Sequence, residues 1–323
     1  MYRLMALLVG LNLAACAHST APSTPPAATA PQLSAAERSA LVTQAEQRIA
    51  ANAPAEALPF YRQLWDAGER NPGMLYNAAC AASLAGQKPE ALQWLERAAD
   101  AGLDDAEHLT QDTDLVGLRD EPAFAQVLAK VQATDAKKNV ATDPTLRDEV
   151  LKRMAVDQAV RKALFVDGPK PGPEKIERLN EVDRDNTAWL KGVIAKHGWP
   201  GRTLVGERAS KGVWLMVQHA DLDRAFQREC LTLLENALAA GEVPKKDVAY
   251  LTDRVLVGEG KPQRYGTQFT DKDGVMVPQP IEDAAQVDAR RASMGLGTLE
   301  EYAAQMQRTF SRPASATPLP VKQ

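Results

Sequence analysis

One histidine, one arginine and a few polar neighbours mark where this chain could do chemistry. His219 lies in Gln218-His219-Ala220-Asp221, directly after the apolar run Val213 to Val217, which predicts a position near a helix end. A histidine there can act as a general base if a carboxylate orients its ring, and Asp221 or Asp253 could do so. The alternative role is to hydrogen-bond a carbonyl or carboxylate and fix a helix junction. Asp253 and Arg254 follow Tyr250 by three and four positions, so on a helix the three share a face. Arg254 can clamp a carboxylate or phosphate in a two-pronged way, or pair with an acid between helices. The segment Gln263-Arg264-Tyr265-Gly266-Thr267-Gln268 is rich in side-chain donors. If it is a strand, alternation puts Tyr265, Thr267 and Phe269 on one face and Arg264, Gly266 and Gln268 on the other. Gly266 would then admit a ligand or a neighbouring helix close to the backbone. His219, Asp253, Arg254, Tyr265 and Gln268 thus form the candidate ligand-binding set, with no catalytic role assigned to any of them.

Other chemistry has no foothold in the pattern. There is no His-Glu-x-x-His, Cys-x-x-Cys, Gly-x-Ser-x-Gly or phosphate-binding glycine loop, so neither a metal nor a cofactor is expected. Asp271-x-Asp273-Gly274 has the start of a calcium loop, but the spacing and the closing glutamate do not fit, and it reads as a hairpin turn. A net charge of −4 over 323 residues gives no reason to expect nucleic acid as a partner. Three cysteines are too few for a disulfide framework, and Cys80 and Cys230 each fall in an apolar helical stretch, as buried free thiols would.

The elements that must hold these residues are mostly helical, since alanine is abundant and aromatics are scarce. Helices are predicted after Asp143-Pro144, from Pro173 to His197 with a break capped by Asp185 or Asn186, and over 207–218, 222–240, 244–258, 284–293 and 298–309. His197-Gly198-Trp199-Pro200-Gly201 must end the second of these. Gln263 to Phe269 and Val275 to Val277 are expected to form a hairpin across a glycine-bearing loop. The fold class is therefore mainly α with one small β-hairpin.

Upstream, the chain repeats itself. A shift of 34 positions pairs Leu41 with Leu75, Ala45 with Ala79, Ala51 with Ala85, Glu56-Ala57-Leu58 with Glu90-Ala91-Leu92, and Asp66-Ala67-Gly68 with Asp100-Ala101-Gly102. A 34-residue period is the length of a tetratricopeptide repeat, a helix–turn–helix unit that buries its apolar face by stacking. Tyr76-Asn77-Ala78-Ala79-Cys80, followed by Gly86 and Glu90-Ala91-Leu92, resembles that consensus. Asp104 to Leu128, with Asp114, Leu115, Leu118, Arg119, Pro122 and Phe124, resembles the terminal variety, where a loop leads into a closing helix. The expected organisation is repeats with a terminal cap over 34–134, a linker over 135–144, a helical domain over 145–310 and a disordered tail over 311–323. Two repeats and a cap are few for an independent array, so the first part is expected to lean on the second.

Residues from about Asp148 to Tyr302 resemble the domain-of-unknown-function 6624 family. The resemblance rests on His197-Gly198-Trp199-Pro200-Gly201, Val217-Gln218-His219-Ala220-Asp221, Tyr250-Leu251-Thr252-Asp253-Arg254 and Gln263 to Gln268. Ile281-Glu282-Asp283, Val287-Asp288, Arg290-Arg291 and Gly295-Leu296 complete it. It implies an architecture and no mechanism.

The first sixteen residues address location. Arg3 precedes a short apolar run ending in Leu13-Ala14-Ala15-Cys16, the layout of a secretory leader, and too short for a spanning helix. The ending resembles the lipobox of bacterial lipoproteins, in which the cysteine is acylated and becomes the first residue. That implies membrane attachment through a lipidated Cys16, with residues 17–33, nearly all Ala, Pro, Ser and Thr, as a disordered tether. Ala17 is not the aspartate that retains such proteins at the inner membrane, so the outer membrane, facing the periplasm, is favoured. Two functions are expected from different classes. One is an interaction or scaffold protein using its repeats to dock a protein partner; the other is a small-ligand binder or enzyme using the polar set around His219.

Overall fold

The 34-residue period of the sequence reappears as geometry. The computed structural model describes residues 33–164 and 171–311; the leader, Cys16, all but the last tether residue and the tail beyond 311 lie outside them. Helices α1 (Ala35–Ala50), α2 (Pro54–Asp66), α3 (Pro72–Leu84) and α4 (Lys88–Asp100) form two hairpins, and both bounds of α4 lie 34 residues beyond those of α2. Asn52 (φ +57°) and Gly86 (φ +73°), also 34 apart, turn the chain between the helices of each hairpin in a left-handed conformation. Ala45 and Ala79 are fully buried, their small side chains letting paired helices approach, and Leu58, Leu64, Leu75, Trp94 and Leu95 fill the space between. Trp65 and Trp94 meet edge to face at 5.9 Å. Helix α5 (Ala106–Gln111), a 3-10 turn (Thr113–Leu118) and α6 (Pro122–Lys138) close this core with Leu109, Leu115, Leu118 and Phe124.

A second core lies in the C-terminal half. It is built by α7 (Pro144–Leu164), α8 (Pro173–His197), α9 (Arg202–Gln218), α10 (Arg224–Ala239) and α11 (Lys245–Gly258), through Val150, Leu190, Val213, Val217, Phe226, Leu234 and Leu251. Gly212 makes the α7–α9 contact tight: a Cβ there would sit 3.0 Å from Val150 Cγ1. Strands β1 (Phe269–Lys272) and β2 (Val275–Pro278) pair antiparallel, with Phe269 opposite Pro278. Asp273 and Gly274 both have positive φ, the two-residue turn that matches strand twist. Helices α12 (Val287–Ser293) and α13 (Leu299–Ser311) follow. Among the described residues the architecture is mainly α with this one small sheet, and no helix is long and apolar enough to cross a membrane. Cys80 and Cys230 are free and buried, one in each core.

Two local expectations need correction. Helix α8 runs unbroken through Asp185 and Asn186, because both side chains turn to Arg153 of α7, at 2.6 and 3.2 Å, instead of capping a new helix start. Residues 263–268 are not a strand; the hairpin begins only at Phe269.

The halves meet at two places. Within α9, Gly206 (φ +81°, ψ 162°) breaks the helix, and the linker packs on it: a Cβ there would lie 2.9–3.0 Å from backbone atoms of Asn139. Asn139 Oδ1 accepts the Arg208 N–H at 2.8 Å, and the N–H groups of Thr142 and Asp143 reach the carbonyls of Thr203 and Leu204 at 3.1 and 2.9 Å. At the other contact α13 lies against α1 and β2. Tyr302 of α13 is buried edge-on between Phe269 and Tyr250, with ring centroids at 5.4 and 5.9 Å.

Candidate functional site

His219 caps the C-terminus of α9, as its place in the sequence predicts. Its orienting carboxylate is neither Asp221 nor Asp253 but Asp157, in the middle of α7, whose two oxygens each stand 3.0 Å from Nδ1. Asp157 is fully buried. Arg161, one turn further along α7, donates Nη1 to Asp157 at 3.0 Å and Nη2 to Asp183 of α8 at 2.7 Å, and Gln158 adds a bond to Asp157 at 2.8 Å. Burial pushes the Asp157 carboxyl up, but His219 and Arg161 outweigh it and hold the group below the usual carboxylate range. At Asp183 burial wins over Arg161, and the carboxyl is raised. Asp157 holds Nδ1, and the His219 side chain is 17% exposed. Asp157, Asp183 and His219 each offer a ligand atom within 4.8 Å of the others. Arg161 already bridges both carboxylates, so the cation of this cluster is a guanidinium.

Arg254 is spent on Asp221. Its Nε lies 3.0 Å from Oδ1 and its Nη2 bonds Oδ2, a two-pronged ion pair joining α11 to the α9–α10 turn. Gln227 donates to Asp221 at 3.2 Å and to the carbonyls of Val217 and Gln218 at 3.1 Å. Burial opposes ionisation of Asp221, yet Arg254 keeps its carboxyl below the ordinary value. Of the two roles open to Arg254, the ion pair between helices is the one present; it touches Gln268 Oε1 only at 3.4 Å.

Asp253 organises the loop that the sequence pattern offered as a strand. Fully buried, its carboxylate accepts the backbone N–H groups of Arg264 (2.7 Å), Tyr265 (3.0 Å) and Thr267 (2.9 Å), and the Thr267 hydroxyl at 2.9 Å. The carbonyls are taken from the other side. Arg291, only 2% exposed, donates to Tyr265 O at 2.7 Å and Gly297 O at 2.6 Å, and Arg290 donates to Arg264 O at 2.7 Å. Gln263, also buried, closes the loop with 2.9 Å bonds to the carbonyls of Gln268 and Gln279. Gln263 makes one isolated bridge to Ile281, and beyond it the peptide groups are consumed sideways, so no ladder runs through the segment. Burial raises the Asp253 carboxyl in spite of those bonds.

The five candidates therefore do not converge on one pocket. Asp253, Tyr265, Arg254 and Gln268 belong to a connected structural network, while His219 belongs to the Asp157–Arg161–Asp183 cluster. Two clefts, of about 370 Å³ between α7 and α8 and about 750 Å³ between α6 and α9, are lined by none of the five. Asp157, Arg161 and Asp183 have no part in the sequence reading, and Arg291 enters it only through the Arg290-Arg291 pair of the family resemblance. The only available signal was the Asp157/Arg161 spacing of four, common on any charged helix.

One further acid stands apart. Asp247, in the first turn of α11, is buried, and its carboxyl is pushed up to about 6 by burial, against the opposing pull of Lys246 and Lys211. Between the ordinary carboxylate value and about 6 the folded chain holds a proton that the unfolded chain has lost, so this group weakens folding as pH rises through that window. Asp247→Asn is expected to raise stability at neutral pH by about 1–3 kcal/mol and to leave it unchanged in acid, as urea titrations at both pH values would show.

Residues 144–312, just over half of the chain, match the model of a family of unknown function, DUF6624. No curated protein and no solved structure matches the chain.

Proposed function

This chain belongs to the DUF6624 family of unknown function, and we propose that it serves as a lipid-anchored envelope protein whose N-terminal helical hairpins dock a protein partner. In this reading the hairpins are tetratricopeptide-like, a label supported by the 34-residue register of α2 on α4. The observation that carries the proposal is the placement of the contacts between the halves. Apart from an Arg208–Glu107 ion pair on α5, they run through α1 and α6, the first and last helices of the repeat half, rather than through α2, α3 or α4. In that half Leu84 and Val116 are 48% and 62% exposed, large apolar side chains on an otherwise well-filled unit. The candidate ligand set supports the same reading from the other side, because Asp253 and Arg254 are bound to partners within the fold.

Photocrosslinking groups placed at Leu84 and Val116 in cells are expected to give adducts of one defined mass, and a group at exposed Leu222 none. Adducts at Leu222 alone would overturn the proposal. The anchor has its own test: Cys16→Ala is expected to move the protein from the membrane to the soluble fraction, whereas retention in the membrane would remove the lipid from the account.

A second reading is favoured by one specific feature. A buried carboxylate that fixes Nδ1 of a partly exposed histidine is the arrangement of a histidine general base, so the C-terminal half would bind a small ligand with an acidic proton beside His219. Thermal-shift screening against sugars, nucleotides and peptidoglycan fragments is expected to yield a stabilising ligand whose effect is lost in His219→Gln with folding intact. A hit insensitive to that change would exclude His219.

A further inference from the structure

The repeat half holds a cluster that neither reading uses. Cys80 lies one turn after Tyr76 on α3, and His108 of α5, Asp112 between α5 and the 3-10 turn, and Asp114 in that turn come up beside it. Cys80, Asp112 and Asp114 each present a ligand atom within 4.8 Å of the other two. Asp112 Oδ2 is the hub: Cys80 Sγ stands 3.7 Å from it and His108 Nε2 3.6 Å, while the Tyr76 hydroxyl donates to it at 2.6 Å. His108 Nε2 is a buried atom with no hydrogen-bond partner, directed at a carboxylate it does not reach. No lysine or arginine among the described residues forms an ion pair with Asp112 or Asp114; Arg119 binds the Asp112 backbone carbonyl instead.

We propose that Cys80, His108, Asp112 and Asp114 bind a divalent ion of the zinc class, clamping the Thr113–Leu118 turn to α3. The separations from Asp112 Oδ2 fit; His108 Nε2 approaches that atom but stands outside the 4.8 Å set formed by the other three, so its ring must turn inward to complete the tetrahedron. Zinc bonds of about 2.0–2.3 Å in a tetrahedron place neighbouring ligand atoms roughly 3.3–3.6 Å apart. Here the Cys80 thiol donates to Asp112 Oδ2 at 3.7 Å, the bond that the ion would replace. The donor set is one sulfur, one nitrogen and two oxygens, which suits zinc and excludes magnesium or calcium, whose sites are built from oxygen. Binding requires the Cys80 thiol to release its proton to solvent and His108 to be neutral, so occupancy rises with pH. Cys80 is buried, and the Tyr76 hydroxyl holds Asp112 from behind, as outer partners of metal ligands do. With four protein ligands such a site is structural: its ion joins two segments and activates no water. Ligand spacings of 28, 4 and 2 residues match no familiar motif, which is why the sequence carries no sign of it.

The test uses the full chain in detergent, stripped with a chelator and titrated with Co²⁺ as a spectroscopic stand-in and then with Zn²⁺. The expected result is a near-ultraviolet thiolate-to-cobalt band saturating at one equivalent, intense visible bands of a tetrahedral centre, and their loss on adding zinc. The thiolate band should vanish in Cys80→Ala and persist in Cys230→Ala. Asp114→Asn and His108→Gln, which keep shape and circular dichroism, should weaken binding by roughly 10–100-fold. Zinc should raise the Tm of the unsubstituted chain and leave Cys80→Ala unmoved. Absence of the thiolate band, its persistence in Cys80→Ala, or unchanged affinity in both conservative variants would overturn the proposal.

Discussion

Replacing Asp157 with alanine is expected to destabilise the protein by about 3–5 kcal/mol, measured by urea denaturation at neutral pH. The carboxylate is fully buried and receives His219, Arg161 and Gln158. Its removal leaves a histidine and half of a guanidinium without their partner, and a charge so left costs more than the pair contributed. Asp157→Asn should lose less, because an amide oxygen still accepts from Nδ1. The pH dependence has a definite sign. Because the folded carboxyl lies below its ordinary value, its stabilisation is complete above the ordinary carboxylate range and is lost as acid titrates the folded group below that range. The curves of the natural chain and Asp157→Asn should therefore converge in acid. A loss under about 1 kcal/mol at neutral pH would mean the cluster behaves as an exposed ion pair and does not hold α7, α8 and α9 together.

Gly206→Ala is the second large effect, about 2–4 kcal/mol. At φ +81° and ψ 162° this residue occupies a region that only glycine enters without strain. A methyl group there would also meet three backbone atoms of Asn139 at 2.9–3.0 Å, and backbone cannot swing aside as a flexible side chain can. Relief requires the linker to retreat, which breaks the Asn139–Arg208 cap and the Thr142 and Asp143 bonds. Limited proteolysis should then cut near residues 135–144 faster than in the natural chain. Gly192→Ala is the control, since that helical glycine has nothing within 4 Å; it should be neutral or mildly stabilising. Equal behaviour of the two variants would show that the linker does not rest on α9.

What was legible in the chain follows from the range over which each feature is encoded. The hairpins could be read because α2 and α4 repeat the same local pattern, and the Asp273-Gly274 turn because its backbone angles demand those residues. Residues 263–268 were misread because a strand pattern assumes that peptide groups pair along a ladder. Here Asp253 and Arg291 take them from both sides, and neither residue lies inside the segment. His219 was placed at a helix end correctly, yet its carboxylate is 62 residues away on a helix whose charges look like a solvated face. The acid nearest in sequence, Asp221, was already held by Arg254. Local order was visible; pairings between distant side chains were not.

The contact of α13 with α1 bears on how the molecule is made. Roughly 250 residues separate the two helices, and closing so long a loop costs about 5 kcal/mol of chain entropy on a logarithmic law. Such a contact is expected to form after the local cores of the two halves. A chain emerging from the ribosome presents α1 before α13. Until the final helix arrives, the leading edge of the hairpin stack stays bare, the situation that repeat proteins otherwise avoid with a polar terminal unit. The N-terminal seal of this stack is encoded at the opposite end of the chain, and maturation is complete only when the two ends have found each other.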